Sequence, residues 1–475
     1  MVRYHFRSIK MVFKVKYFLG VLLFLLNGGV IIAQQNKPNI IVILSDDAGY
    51  ADFEKYGDKE IPTPNINKLS EEGVRFTNAY VTASVCAPSR AGLLTGRYQQ
   101  RFGFEHNPSK MLAPGVATEE VGLDVKQKTI ADYLKADGYR TIAIGKWHLG
   151  TLEKYFPTNR GFDEFYGFKE GHRDFFGIKG NRGDAYALYD NNTIVPEEKI
   201  TYLTDMFTDK AVEFIDRNKA KPFFMYLAYN AVHTPLQAKD SDLAKFANVK
   251  DKDRRTYDAM MYSMDEGIGN VVAALKKNGI EKNTLIFFIN DNGGATNNGS
   301  DNGGLRGMKG SKWEGGIKVA FVMKWPEQIP AGQVYQKPVS TLDVIPTSLR
   351  AAGDRTTYSS LDGVNLLPYL KHQRKTPHKD MFWRRGVAAA VRSGDWKLIR
   401  VETDPVLLFN LKTDPYETTN LASKYPGKVY RLFAKLNKWE NELSKPLWYS
   451  SMGSVNQIKK HRMEVVGREM ERELP

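Results

Sequence analysis

Cysteine occurs once in this chain of 475 residues, at Cys86. A single thiol cannot close an internal disulfide, so a disulfide-stapled scaffold is excluded. Internal repeats and low-complexity segments are missing as well. Acids are in short supply. Asp and Glu total 54 against 68 Lys and Arg, and the formal charge of +14 suggests an anionic partner such as nucleic acid, a membrane surface or a polyanionic substrate. With 42% apolar and 26% charged residues, the composition excludes disordered, collagen-like and polytopic membrane classes. The length fits one large domain with a smaller one.

The first 33 residues stand apart. Arg3, Arg7, Lys10, Lys14 and Lys16 make a basic start without an acid, and Tyr17 to Ala33 is almost wholly apolar. That order predicts an export signal over residues 1–33, cleaved after Ala33, with an uncleaved anchor as the alternative. The expected mature protein is periplasmic or secreted, without stable membrane insertion. Its 63 bases and 54 acids leave a milder charge of +9.

Asn39 to Leu44 reads NIIVIL, a continuous apolar run expected of a strand buried on both faces of a parallel sheet. Thr284 to Ile289 is a second such run, after a helical stretch from Tyr257 to Lys277. Arg140–Ile144, Phe223–Ala228 and Val319–Met323 are further strand candidates. The alternation predicts an α/β fold, a large mixed or parallel sheet sandwiched by helices, with ligands beyond the carboxyl ends of strands. After residue 375 the texture changes. Ala388–Ser393 and Trp396–Val401 flank Gly394-Asp395 as a hairpin, Leu407–Leu411 is another strand, and Val429–Leu443 is an amphipathic helix. The expected organisation is an α/β domain over 34–375 and a small antiparallel-sheet and helix domain over 376–475.

Pro88 suits a first helical turn and Gly96 a helix end, so Cys86 is expected at a helix N-terminus, where the dipole attracts anions and depresses a thiol pKa. Arg90 shares its face. A buried, inert cysteine is the alternative, but it explains neither the adjacent Pro-Ser-Arg nor a free thiol in an exported protein. A thiol-phosphatase loop would carry arginine six residues on, where Gly92 stands.

Cys86-Ala87-Pro88-Ser89-Arg90, with Leu94-Thr95-Gly96-Arg97 beyond it, resembles the signature of the type I sulfatases. The resemblance implies an alkaline phosphatase-like fold and a cysteine converted to Cα-formylglycine, whose hydrated diol attacks sulfur. It implies a maturation partner too, a formylglycine-generating or anaerobic sulfatase-maturing enzyme. Asp46 and Asp47 end one strand, and Asp291 and Asn292 end another. They offer hard oxygen ligands suited to Ca²⁺ or Mg²⁺, and with Cys86 they match the family's metal set. By the same resemblance, Lys146 binds the diol and sulfate and His148 is the base that returns the aldehyde. His233 and Lys309 meet sulfate and the leaving oxygen, with His233 the general acid.

The implied activity is sulfate-ester hydrolysis on a polysaccharide or oligosaccharide: an algal glycan such as ulvan or carrageenan, or a glycosaminoglycan. His106, His172 and Arg173 sit in loops whose composition suits a sugar and its acidic groups. Two rivals stay open. A phosphonate or phosphodiester hydrolase of the same superfamily typically has histidine where Asn292 stands. A polyanion-binding protein without turnover would cluster its bases, whereas here they are dispersed; the mature charge of +9 is consistent with an acidic glycan and is poor evidence for nucleic acid.

Overall fold

The runs of β-branched and aromatic residues form strands buried on both faces. The computed structural model describes residues 37–57, 60–180, 183–371, 376–401 and 405–449. The expected export signal and residue 375 at the expected domain boundary lie outside the described residues. No helix among the described residues is long and apolar enough to cross a membrane.

The strands of the large sheet are, in chain order, β1 (Asn39–Ser45), β2 (Val74–Tyr80), β3 (Arg140–Lys146), β4 (Glu164–Phe168), β5 (Tyr189–Asp190), β6 (Thr193–Ile194), β7 (Phe223–Ala228), β8 (Thr284–Asn290), β9 (Lys318–Lys324), β10 (Gln333–Tyr335) and β11 (Val339–Ser340). They lie in the order β10-β2-β9-β8-β1-β7-β3-β4-β5-β6, with β11 paired to β2. The five central strands from β8 to β4 are parallel, and β9 is antiparallel to both neighbours. Side chains of β1 alternate between two cores, Ile40, Val42 and Leu44 in one and Ile41 and Ile43 in the other. Helices Cys86–Thr95 and Ile130–Ala136 cover the first face, and Leu203–Asn218 and Lys252–Lys277 the second.

A separate sheet of four antiparallel strands follows: β12 (Asp380–Arg385), β13 (Ala388–Ser393), β14 (Trp396–Arg400) and β15 (Leu407–Asn410). Leu432, Leu436 and Trp439 of helix Pro426–Glu440 pack on Val391, Leu398 and Leu408. Buried polar ties join this sheet to the larger one, among them Arg392 to the Tyr80 hydroxyl. Trp383 Nε1 donates to the Val81 carbonyl at 2.7 Å, and Lys397 Nζ lies 2.8 Å from both Glu314 and Glu417. The large mixed sheet between helical layers, and the small antiparallel sheet with its helix, are the architecture read from the sequence.

Some bounds differ. Helix Lys252–Lys277 begins five residues before Tyr257 because Asp251 caps it, accepting the Arg254 N–H at 2.8 Å. The C-terminal helix starts at Pro426 because proline suits its first turn. β2 was not foreseen: VRFTNAY mixes polar and apolar residues, and its partners β9, β10 and β11 lie far along the chain.

One buried pair makes stability depend on pH. His378 Nε2 lies 2.8 and 2.9 Å from the two Asp343 oxygens. Burial pulls the His378 pKa down, but the charge and hydrogen bond of Asp343 outweigh it and hold the ring above its usual value. A pKa raised on folding stabilises fully below the unfolded value of about 6.5, and that stabilisation is lost as pH rises through the folded value. Denaturant midpoints of wild type and His378→Gln should therefore differ more at about pH 5.5 than at about pH 9. An equal difference at both would mean the pair is not ionic.

Candidate active site

Four parallel strands end on one edge of the large sheet, and each delivers part of one cluster. β1 runs into Asp46 and Asp47, β8 into Asp291 and Asn292, β3 ends on Lys146 with His148 beyond it, and β7 leads to His233. Helix Cys86–Thr95 starts against them, and Gly96 stops it in the left-handed conformation at φ 65°. Asp47 and His148 also take left-handed backbone, φ 62° and 61°. Residues other than glycine rarely do so except where surroundings impose it, often at functional sites.

Cys86 Sγ lies 3.6 Å from Asp46 Oδ1 and 3.8 Å from Asp47 Oδ1. Each aspartate carries its own lysine. Lys146 Nζ donates to Asp46 Oδ2 at 2.5 Å and Lys309 Nζ to Asp47 Oδ2 at 2.6 Å. Asn292 Nδ2 donates to Asp47 Oδ1 at 2.7 Å, and Asp291 Oδ1 accepts the Asp47 N–H at 3.3 Å. Arg90 lies fully buried behind them. Its Nε and Nη2 reach Asp291 Oδ2 at 3.0 and 2.9 Å, and its Nη1 donates to the Lys146 carbonyl at 2.9 Å.

The electrostatics follow from burial. Desolvation alone would raise Asp46, but Lys146, His233, Arg90 and Lys309 hold it well below the usual carboxylate range. Asp291 is pushed up to about 7 by burial and the neighbouring Asp46 charge, against Arg90 and Lys146. Cys86 departs from expectation. It does begin a helix, yet burial, with Asp47 and Asp291, pushes its thiol up to about 12 in spite of Lys146 and Lys309. The helix terminus therefore does not make a thiolate here.

The two histidines differ in their hydrogen bonding. His233 Nδ1 sits 2.6 Å from the Thr234 carbonyl, which can only accept, so Nδ1 carries a proton and Nε2 faces Asp47 Oδ2 at 3.4 Å. Burial holds His233 at about 4. His148 is driven well below its usual value by burial, Lys146 and Arg90, and is neutral. Gly171 packs on its ring, so closely that a β-carbon there would stand 2.5 Å from His148 Cε1.

The donor set suits a hard divalent cation. Ligand atoms of Asp46, Asp47, Cys86 and His233 all lie within 4.8 Å of one another. Asn292 Oδ1 is buried and accepts no hydrogen bond, as an oxygen intended for a cation would be.

The three loop residues expected to meet a sugar fare differently. His172 is exposed, its ring stacked 6.4 Å from His233 and 5.6 Å edge-on from Tyr186. His106 is buried, with Gly386 beside it. Arg173 is turned inward, its Nε donating to the Asp174 carbonyl at 3.2 Å. Its side chain is fully buried and held by Glu197 at 2.9 Å, because the loop folds it inward to anchor itself. Two residues near the cluster escaped the sequence reading, Tyr186 beside His172 and Arg385 from the C-terminal sheet. Neither lies in a motif that could have signalled it.

Comparison with known proteins places this arrangement. The sulfatase family model matches residues 38–354, and the model for the C-terminal part of N-sulphoglucosamine sulphohydrolase matches residues 309–445. Arylsulfatase J of Mus musculus is 32% identical, over 88% of this chain and 78% of that protein. N-acetylgalactosamine-6-sulfatase of Sus scrofa is 31% identical, over 76% and 71%. Among solved structures, Ps i-CgsB in complex with k-i-k-neocarrahexaose is 38% identical with a TM-score of 0.81, over 90% of this chain and 98% of that one.

Proposed function

From the premise that the chain belongs to the sulfatase family and is a sulfuric ester hydrolase, we propose that it is exported and removes sulfate esters from a sulfated polysaccharide or oligosaccharide. The observation that carries this reading is the convergence of Cys86, two lysines and two histidines on one carboxylate pair at the strand ends. The likeness to Ps i-CgsB, solved with k-i-k-neocarrahexaose, and the surplus of bases support a glycan.

Cys86 acts as formylglycine, and a thiol held at about 12 supports that role, since it would be un-ionised at neutral pH. The diol of that residue supplies the oxygen nucleophile. Asp46, Asp47, Asp291, Asn292 and the modified Cys86 would hold Ca²⁺, which when bound lowers the pKa of a coordinated hydroxyl and neutralises oxyanion charge. Lys146 and Lys309 direct positive charge at the sulfate oxygens, where charge builds in the transition state. His233 keeps its one proton on Nδ1, against the Thr234 carbonyl, and turns Nε2 to the site; as general acid it would give the leaving alcohol a proton taken up at Nε2, where Asp47 at 3.4 Å favours the charged ring. Neutral His148 takes a proton when sulfate is released. Arg90 keeps Asp46 and Asp291 in place without meeting the substrate.

Dialysis against a strong chelator should abolish sulfate release and lower the melting temperature, and Ca²⁺ should restore both. Full activity and unchanged melting after chelation would exclude the metal site. The substrate is tested by a panel of defined sulfated algal and glycosaminoglycan oligosaccharides with free sulfate as readout. No release from any of them would overturn the glycan reading.

A further inference from the structure

The turn between β12 and β13 brings a cation to the site from the opposite end of the sequence. Arg385 pairs with Ala388 across the two-residue turn Gly386-Val387, and Gly386 takes the left-handed φ of 59° that such a turn demands. Side chains alternate along β12. Arg384 points one way, where Glu105 binds its guanidinium and also accepts the Gly386 N–H at 3.2 Å. Trp383 and Arg385 point the other way. The Trp383 indole is tied to the Val81 carbonyl at 2.7 Å, and the Gly310 N–H to the nearby Ser84 carbonyl at 2.7 Å.

Arg385 consequently lies against Gly310, the residue after Lys309. A β-carbon at Gly310 would stand 3.2 Å from Arg385 Nη1, and the Gly310 φ of 91° also disfavours any side chain there. Gly386 in turn lies 4.0 Å, by the same measure, from His106 Cε1. Burial, then the charges of Arg385 and Lys312, push His106 down to about 3, so its ring is neutral and offers hydrogen bonds without charge. Lys146 and Lys309 already serve the reacting sulfate, each against one aspartate. Arg385 is half-buried and stands outside that set. A planar guanidinium there suits a second oxyanion.

We propose that Arg385 binds a second anionic substituent, a carboxylate or a further sulfate, on the sugar that carries or adjoins the scissile ester. Arg385 is then a specificity residue contributed by the C-terminal sheet. The inference rests on the hydrolysis of sulfated sugars proposed above.

The test uses three disaccharides: one with a single sulfate, one with a second sulfate, and one with a uronate carboxylate in place of the second sulfate. Wild type should prefer one of the two dianionic sugars, and which one identifies the anion. Arg385→Gln should cut that preference, measured as the ratio of kcat/KM values, by about tenfold or more, the scale of one charge-assisted hydrogen bond. Arg385→Lys should recover part of it, with the loss in KM rather than kcat. An unchanged ratio in Arg385→Gln overturns the proposal. Calorimetric binding of the same sugars to a Cys86→Ala background, with and without Arg385→Gln, reads the anion contact without turnover. If no sugar is hydrolysed, the enzymatic reading fails while the role of Arg385 is still decided.

Discussion

A Cys86→Ala protein is expected to fold normally and to release sulfate at a rate lower by at least about 10⁴-fold, the scale on which removing a covalent nucleophile acts. The side chain is small and buried between two aspartates and the start of its helix, so its loss opens little space. Cys86→Ser, made in a host that cannot convert serine, should behave alike, because an unmodified hydroxyl supplies one oxygen where the diol supplies two. Peptide mass spectrometry of wild type should find formylglycine at position 86 in active preparations. Free thiol at that position in fully active protein, or full activity in Cys86→Ala, would refute the nucleophile. Retained binding of a sulfated disaccharide by the alanine variant separates loss of chemistry from loss of the site.

Arg90→Met should have the second largest effect, and on two readouts at once. The guanidinium is fully buried and bridges Asp291, Asp46 and the Lys146 carbonyl. Methionine keeps much of the volume but leaves the carboxylates with one cation fewer. Removing one partner of a buried ion pair costs about 3–5 kcal/mol. Denaturant unfolding should show a loss of that order. Sulfate release should fall by about 10²-fold or more, because Lys146 and Asp46 lose the anchor that fixes their separation. Wild-type stability in this variant would mean that Arg90 is not paired as described. Wild-type turnover would mean that it does not position the site.

Much of this centre was legible in the chain. The apolar runs of β1, β3, β7 and β8 marked strands, and the residues at their ends marked chemistry, because a parallel sheet gathers its carboxyl ends on one edge. Pro88 and Gly96 bounded the helix that starts at Cys86. Other features had no local signature. β2 pairs with strands far along the chain, and the polar first turn of helix Lys252–Lys277 hid its start. Arg173 read as a binding residue because Arg beside His in a loop is common at such sites, but its burial on Glu197 depends on how the loop folds back. Arg385 carried no signal, since only the docking of the small sheet through Trp383 and Lys397 brings it beside Gly310.

The sequence by itself determined which groups are present: one cysteine at a helix start, oxygen ligands at strand ends, two lysines and two histidines just beyond strands or in glycine-rich loops. Tertiary structure alone decided their electrostatic state. It buried Cys86 and sent its thiol upward where the helix terminus argued for the reverse, and it set one lysine on each aspartate. The reason is physical. Helix geometry and strand ends act over a few residues and are written locally, whereas desolvation and Coulomb interaction depend on distances between segments that meet only when the chain has folded.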